Sequence, residues 1–160
     1  MVAFLVGNIP EDCHPKVRAL AAYWQSIHPP AGLPGRQHVD PCDIPKPLLP
    51  NLLLVDIEGA TRSFTWRLMG TGLVKILKRD HTGLPFESAY YKGRDANSYK
   101  DMILLATGRE PRWRRAPASF QRNRDYLTIE RAFFPLAGDG DTVDMALGII
   151  LARLTSGEVV

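Results

Sequence analysis

The sequence predicts an α+β fold: one five-stranded antiparallel sheet with helices across one face and a separate N-terminal helix. Three observations lead there. Apolar residues recur at helical spacing near the start, two strand-like segments flank a turn within residues 51–69, and three strand-length segments close the chain. A hairpin, a block of short helices and a three-strand meander can close into a single sheet with the helices laid on it.

After Pro15, the residues Val17, Leu20, Ala21, Trp24 and Ile27 recur at intervals of three and four and share one helical face, with Asp12 as a candidate cap. "HPPAGLPGR" ends this helix, because consecutive prolines lack amide donors and glycines relax the backbone. "VDPCDIPKPLLPN" continues as a proline-rich connector with one short helical turn after Asp43. Its Ile44, Leu48 and Leu49 are apolar enough to pack, so it reads as an ordered loop. Residues 1–50 thus form the N-terminal helix and connector, and residues 51–155 the core of what is structurally one domain.

"NLLLVDIEGATRSFTWRLMG" reads as two strands around the turn Glu58, Gly59, Ala60, Thr61. In the second strand Phe64, Trp66 and Leu68 alternate with Thr65, Arg67 and Met69. Strand geometry then puts the first three in the core and Arg67 on the opposite face, toward Asp12, Glu11 or backbone carbonyls of the N-terminal helix. "TGLVKILKRD" predicts a short helix capped near Thr71. In "RDANSYKDMILLATG" the buried stripe is Tyr99, Met102, Ile103 and Ala106, and Gly108 is placed to end the helix. "RWRRAPASFQ", "YLTIERAFFPLA" and "TVDMALGIILARL" are the meander strands, joined by turns at "RNRD" and "GDGD".

With 160 residues, 45% apolar and 23% charged, the chain is long enough for a core that needs no disulfide or metal. A formal charge of +3 is too small to argue for nucleic acid by itself. The N-terminus has neither the basic start nor the hydrophobic length of a signal peptide, and no stretch approaches the length of a membrane helix. The cysteines, Cys13 and Cys42, are too few for a disulfide framework. A cytoplasmic setting with no membrane association is the expectation.

The order of elements, together with "LPGRQHVDPCDIPKPLLPNLLLVDIE", "FTWRLMGTGLV", "RDHTGLPFE" and "FFPLAGDGDTVDMALGII", resembles a family of small single-domain bacterial PAS proteins of the alphaproteobacterial type. The matching positions are Tyr23 and Trp24, Leu33, Pro34 and Arg36, Asp40 and Pro41, Arg67, Gly70 and Thr71, Asp80, Thr82 and Gly83, and Pro135 and Leu136. The resemblance runs from about Tyr23 to Leu151. It implies a PAS-like fold and a class of domains that sense small molecules or mediate protein contacts, often as homodimers. It names no cofactor. In the same light "MGTGLVKILKRDHTG" reads as structural punctuation: Gly70 lets the chain leave the strand, Thr71 starts a helix, Asp80 and Thr82 brace a turn, and Gly83 releases it. A dinucleotide loop would need a glycine where Lys75 stands and a following parallel strand.

Other chemistries find weaker support. Cys13, His14, His38, Asp40 and Cys42 lack zinc-site spacing. A flavin adduct of the PAS photosensor kind needs a cysteine between strands two and three, and both cysteines come before strand one. His81 and Met102 are the candidate haem ligands in the helical block, and His81, in a turn, is expected to be exposed. Asp139, Asp141 and Asp144 surround glycines in a hairpin turn without the rest of a calcium loop. Arg109, Arg112, Arg114, Arg115, Arg122 and Arg124, with Trp113 and Phe120 between them, form a basic strip that could meet single-stranded nucleic acid. Strand alternation splits that strip between two faces. No nucleophile and base converge, so no enzyme is expected.

The function read from these residues is a sensory or regulatory PAS protein. It binds a small molecule, signalling partner proteins, or both, and carries no output segment of its own. A ligand-free protein-interaction scaffold is the alternative, and nucleic-acid binding through Arg109–Arg124 a second. The resemblance puts a ligand cavity between the sheet and the helical block, and Trp66, Leu68, Met102, Trp113, Phe134 and Met145 are the residues expected to line it, unless they fill a solid core.

Overall fold

In the computed structural model residues 3–59, 63–89, 96–117 and 127–154 are described. Ala60, Thr61, the "RNRD" turn, and Phe120, Arg122 and Arg124 of the basic strip lie outside them. The chain opens with a small antiparallel pair, β1 (Phe4–Val6) and β2 (Ile9–Pro10), that periodicity did not announce. Helix α1 (Pro15–Ser26) follows and buries Val17, Leu20, Ala21, Tyr23 and Trp24. Its cap is His14, whose ring accepts the Lys16 N–H, in place of the expected Asp12. The connector winds through three 3-10 turns, Arg36–His38, Pro41–Asp43 and Lys46–Asn51, where one was expected. Pro41 and Pro47 stand in the first two positions of their turns, where a missing amide has no intrahelical partner, whereas Pro50 lies inside the third turn.

The sheet contains β3 (Leu52–Glu58), β4 (Ser63–Met69), β5 (Arg112–Pro117), β6 (Leu127–Leu136) and β7 (Met145–Leu154). Their order is β4-β3-β7-β6-β5, and every pairing is antiparallel. Residues paired directly across strands share a face. Val55, Trp66, Ala146, Gly148 and Phe133 therefore lie on an inner face toward α3 (Ala96–Gly108), while α2 (Thr71–Leu77) packs against the last turn of the connector. Leu54, Leu147 and Phe134 lie on an outer face toward α1 and the connector. The α1 helix is fixed there by Trp24, whose indole donates to the Pro135 carbonyl at 2.9 Å and whose ring meets Phe134. The connector is clamped onto the β6–β7 hairpin, where Leu33 N–H donates to Gly140 and Ala137 N–H to Pro34.

Two strand and helix assignments are corrected by the structure. Leu54 pairs with Leu68 but Val55 pairs with Trp66, so Arg67 is an extra residue in a β-bulge. The bulge turns Leu68 to the outer face, where it is 44% exposed, while Phe64 and Trp66 stay buried inside. Arg67 does not reach the N-terminal helix; it stands 3.8 Å from Asp56 in an exposed pair. In α3 the inward stripe is Ser98, Asp101, Met102 and Leu105, with Tyr99 exposed. Burying an aspartate was not anticipated, because a lone carboxylate on a helix is normally solvated.

Candidate functional site

Rings fill the middle of the space between the inner face and α3, and a recess of about 210 Å³ remains at its end, between Ile57 and Phe64 of the sheet and Ile103 and Ala106 of α3. Trp66 is 1% exposed, donates its indole N–H to the Phe86 carbonyl at 3.1 Å, and lies 5.0 Å from the Phe86 ring. Phe86 meets Phe133 edge-on, and Phe133 covers Gly148 so closely that a Cβ there would sit 2.6 Å from its Cδ1. Met102 and Leu105 complete this packing from α3. Of the six residues expected to line one cavity, Trp66 and Met102 lie here. Register puts Leu68, Trp113, Phe134 and Met145 on the other side of the sheet. The six do not share a pocket; strand alternation and the bulge at Arg67 separate them.

A groove of about 380 Å³ lies instead on the outer face, beneath the connector. Val39, Ile44, Leu49, Leu54, Leu68 and Leu147 form most of its wall, and Arg36 and Thr71 supply polar groups at its edge. Arg36 is exposed and donates one Nη1–H to the Val39 carbonyl at 3.0 Å. Several motif residues converge here for structural reasons too. The Tyr23 hydroxyl accepts the Asp40 N–H at 2.9 Å, and the Asp40 carboxylate caps the turn at Cys42. Gly70 has an ordinary φ of −64°, so it is not there for backbone freedom. A Cβ at that position would lie 2.4 Å from the Pro50 carbonyl oxygen, so Gly70 lets α2 sit against the connector. No side chain caps α2, and Thr71 is simply its first residue.

Asp80, Thr82 and Gly83 act as read from the sequence. Asp80 Oδ1 accepts both the Thr82 amide and hydroxyl, at 3.0 and 2.6 Å, and Gly83 has φ +85°. Gly83 N–H and Leu84 C=O then bond the backbone of Trp66, covering the free edge of β4. His81 is buried at 5% exposure, not exposed as expected; its Nδ1 lies 3.0 Å from the Ser88 hydroxyl. Burial, helped by Arg79, holds its imidazole below the ordinary histidine value. The turn between β6 and β7 is braced by Asp139, which accepts the Asp141 and Thr142 amides.

The basic strip separates into ion pairs. Arg112 and Arg114 point inward to Asp101, at 3.6 and 2.9 Å, and Arg131 of β6 joins them at 3.0 Å. Arg115 points outward to Glu130 at 2.7 Å, and Arg109 meets Asp141 at 3.1 Å. Trp113, on the outer face, donates its indole N–H to Glu130 at 3.1 Å. Burial pushes the Glu130 carboxyl up, but the His14 N–H, the Arg115 guanidinium and the Trp113 indole more than offset this and hold it below the usual value. Asp101, Glu130 and Arg131 are the buried charges that sequence reading missed. The available signal was the alternation of Arg112 and Arg114, which demands an acid on one side; nothing in the sequence pointed to Asp101 as that acid.

Cys13 is buried and Cys42 exposed. Burial and nearby Glu130 push the Cys13 thiol up, which disfavours the nucleophilic thiolate. Among the described residues no group of three or more His, Cys, Asp or Glu side chains is placed to hold a metal ion. Among the same residues no helix is long and apolar enough to cross a membrane.

A five-stranded antiparallel sheet in this order, with helices on its inner face and an N-terminal helix on the other, is an α+β architecture of the PAS-like kind. A family model described as PAS domain matches residues 13–151, and the chain belongs to that family. No curated protein and no solved structure matches it.

Proposed function

We propose that this PAS domain is a sensory or regulatory module that takes a small, largely apolar molecule with an anionic end in the outer-face groove. The observation that carries the reading is the groove itself: about 380 Å³, walled by aliphatic side chains, with Arg36 at its edge. Its volume and its mix of apolar wall and few polar groups match small-molecule sites. The aromatic packing of Trp66, Phe86 and Phe133 favours this location over the inner face. The module acts in the cytoplasm, has no reaction of its own, and passes the binding event to a partner protein or a second copy of the chain. The exposure of Leu49 and Leu68, 37% and 44%, favours a second reading, in which the groove receives an apolar side chain of that partner.

Mass spectrometry of the purified protein under native and denaturing conditions tests the first reading, with octanoate and dodecanoate added as probes. The expected result is a bound molecule that leaves on denaturation and is absent from Leu68→Glu, a change at a half-exposed site that should leave the fold intact. A bare mass in both states, with no carboxylate-dependent rise in the unfolding midpoint, would sink it and leave the partner-contact reading.

A further inference from the structure

A second cavity, of about 300 Å³, opens on the outer face between the start of α1 and strands β5, β6 and β7. It shares no lining residue with the groove. Arg115 pairs with Glu130, Glu130 with Leu151, and Thr128 with Arg153, so register turns all five side chains to the same face. His14 and Lys16, at the start of α1, form the facing wall.

Three basic side chains, Lys16, Arg115 and Arg153, thus meet one carboxylate. Glu130 is already committed. Its Oε1 accepts Arg115 Nε and Nη2 at 3.0 and 2.7 Å, and its Oε2 accepts the His14 N–H and the Trp113 indole at 2.7 and 3.1 Å. Among the described residues, Lys16 and Arg153 have no acidic partner. The His14 Nδ1 accepts the Lys16 amide at 3.0 Å, which leaves Nε2–H of the neutral ring as a further donor. Burial lowers the His14 pKa; Glu130 raises it, and Arg153, Lys16 and Arg115 each lower it.

A cavity with two cations that pair with no acid among the described residues, a hydroxyl donor at Thr128 and an apolar floor at Leu151 suits an anion with a short carbon skeleton. We infer that this cavity is a binding site for a small dianionic metabolite, carrying a phosphate or two carboxylates, held by Lys16, Arg153 and Thr128. The site is independent of the groove and of any ligand there.

Amide NMR titration with sodium phosphate and with sodium succinate, each against sodium chloride at equal ionic strength, tests it. The expected outcome is saturable shifts at His14, Lys16, Thr128 and Arg153 from at least one dianion. In the double variant Lys16→Gln, Arg153→Gln the affinity should fall about tenfold or more, since each removed cation takes a charged hydrogen bond with it. Both side chains lie at the surface of the cavity, and the spectrum of the variant reports whether the fold is kept; Arg153→Gln alone serves if it is not. Leu68→Glu should leave the titration unchanged, which separates this site from the groove. Shifts that chloride reproduces, or that survive in the variants, would overturn the inference. Shifts produced by a short single-stranded oligonucleotide and by neither dianion would assign the site to nucleic acid and overturn it as well.

Discussion

Asp101 holds three guanidinium groups while itself 1% exposed, and its side chain is the ionic joint between α3 and the β5–β6 pair. A buried ion cluster of this kind is weak evidence for net stability, but breaking it strands the remaining charges. Arg131 would suffer most, since its side chain is 7% exposed whereas those of Arg112 and Arg114 retain more contact with water; the Nε of Arg131, like that of Arg112, has no hydrogen-bond partner among the described residues. Asp101→Asn should therefore cost about 3–5 kcal/mol, read from the urea midpoint at constant m-value. A loss below about 1 kcal/mol would mean that solvent already screens these charges. The exposed pair Arg67–Asp56 offers a control, because its removal should change little.

At the scale of elements, close approach decides more than conformational preference. Gly70 could carry a side chain on φ grounds alone, yet the Leu49 and Pro50 carbonyls leave no room for one. Gly59 has nothing within 4 Å of its Cβ position. Gly70→Ala should cost about 1–3 kcal/mol through forced backbone shifts, and Gly59→Ala should stay within about 0.5 kcal/mol. Equal effects in thermal melts would show that the α2–connector contact relaxes freely. The alternation of Phe64 and Trp66 was legible in the sequence, but the bulge was not. One extra residue in β4 reverses the side chains beyond it, and local propensity gives no sign of where a pairing partner skips a position. The α3 stripe slipped for a related reason. Asp101 is tolerable inside only because arginines from β5 and β6 meet it.

For the whole molecule, stability should fall on the acid side. Burial holds His81 and His14 below the ordinary value of 6.5, so the unfolded chain takes up these protons first. Their contribution is fully present above 6.5 and is lost as pH falls from there toward the lower folded values. Glu130, held below 4.5, acts in the same direction at lower pH: its contribution is present above 4.5 and is lost as pH falls through the folded value. The unfolding midpoint should thus be flat just above about pH 7 and drop steadily below it, with a shallower drop between about pH 7 and 5 in His81→Gln. A midpoint that rises on acidification would contradict the burial of these groups.

The sequence by itself determined the order of the main helices and of the five antiparallel sheet strands, the buried face of α1, the turns at Asp80–Gly83 and Asp139–Asp141, and through its ordered motifs the PAS family. These are local properties: apolar period, prolines and glycines, and short side-chain caps act over a few residues. Tertiary structure alone decided which face Leu68 takes, which acid meets the arginines, that Trp66, Phe86 and Phe133 pack together on the inner face, and that the aliphatic groove and the basic cavity lie on the outer face. Each of those depends on residues far apart in the chain coming within a few ångströms, a relation that periodicity along one segment does not encode.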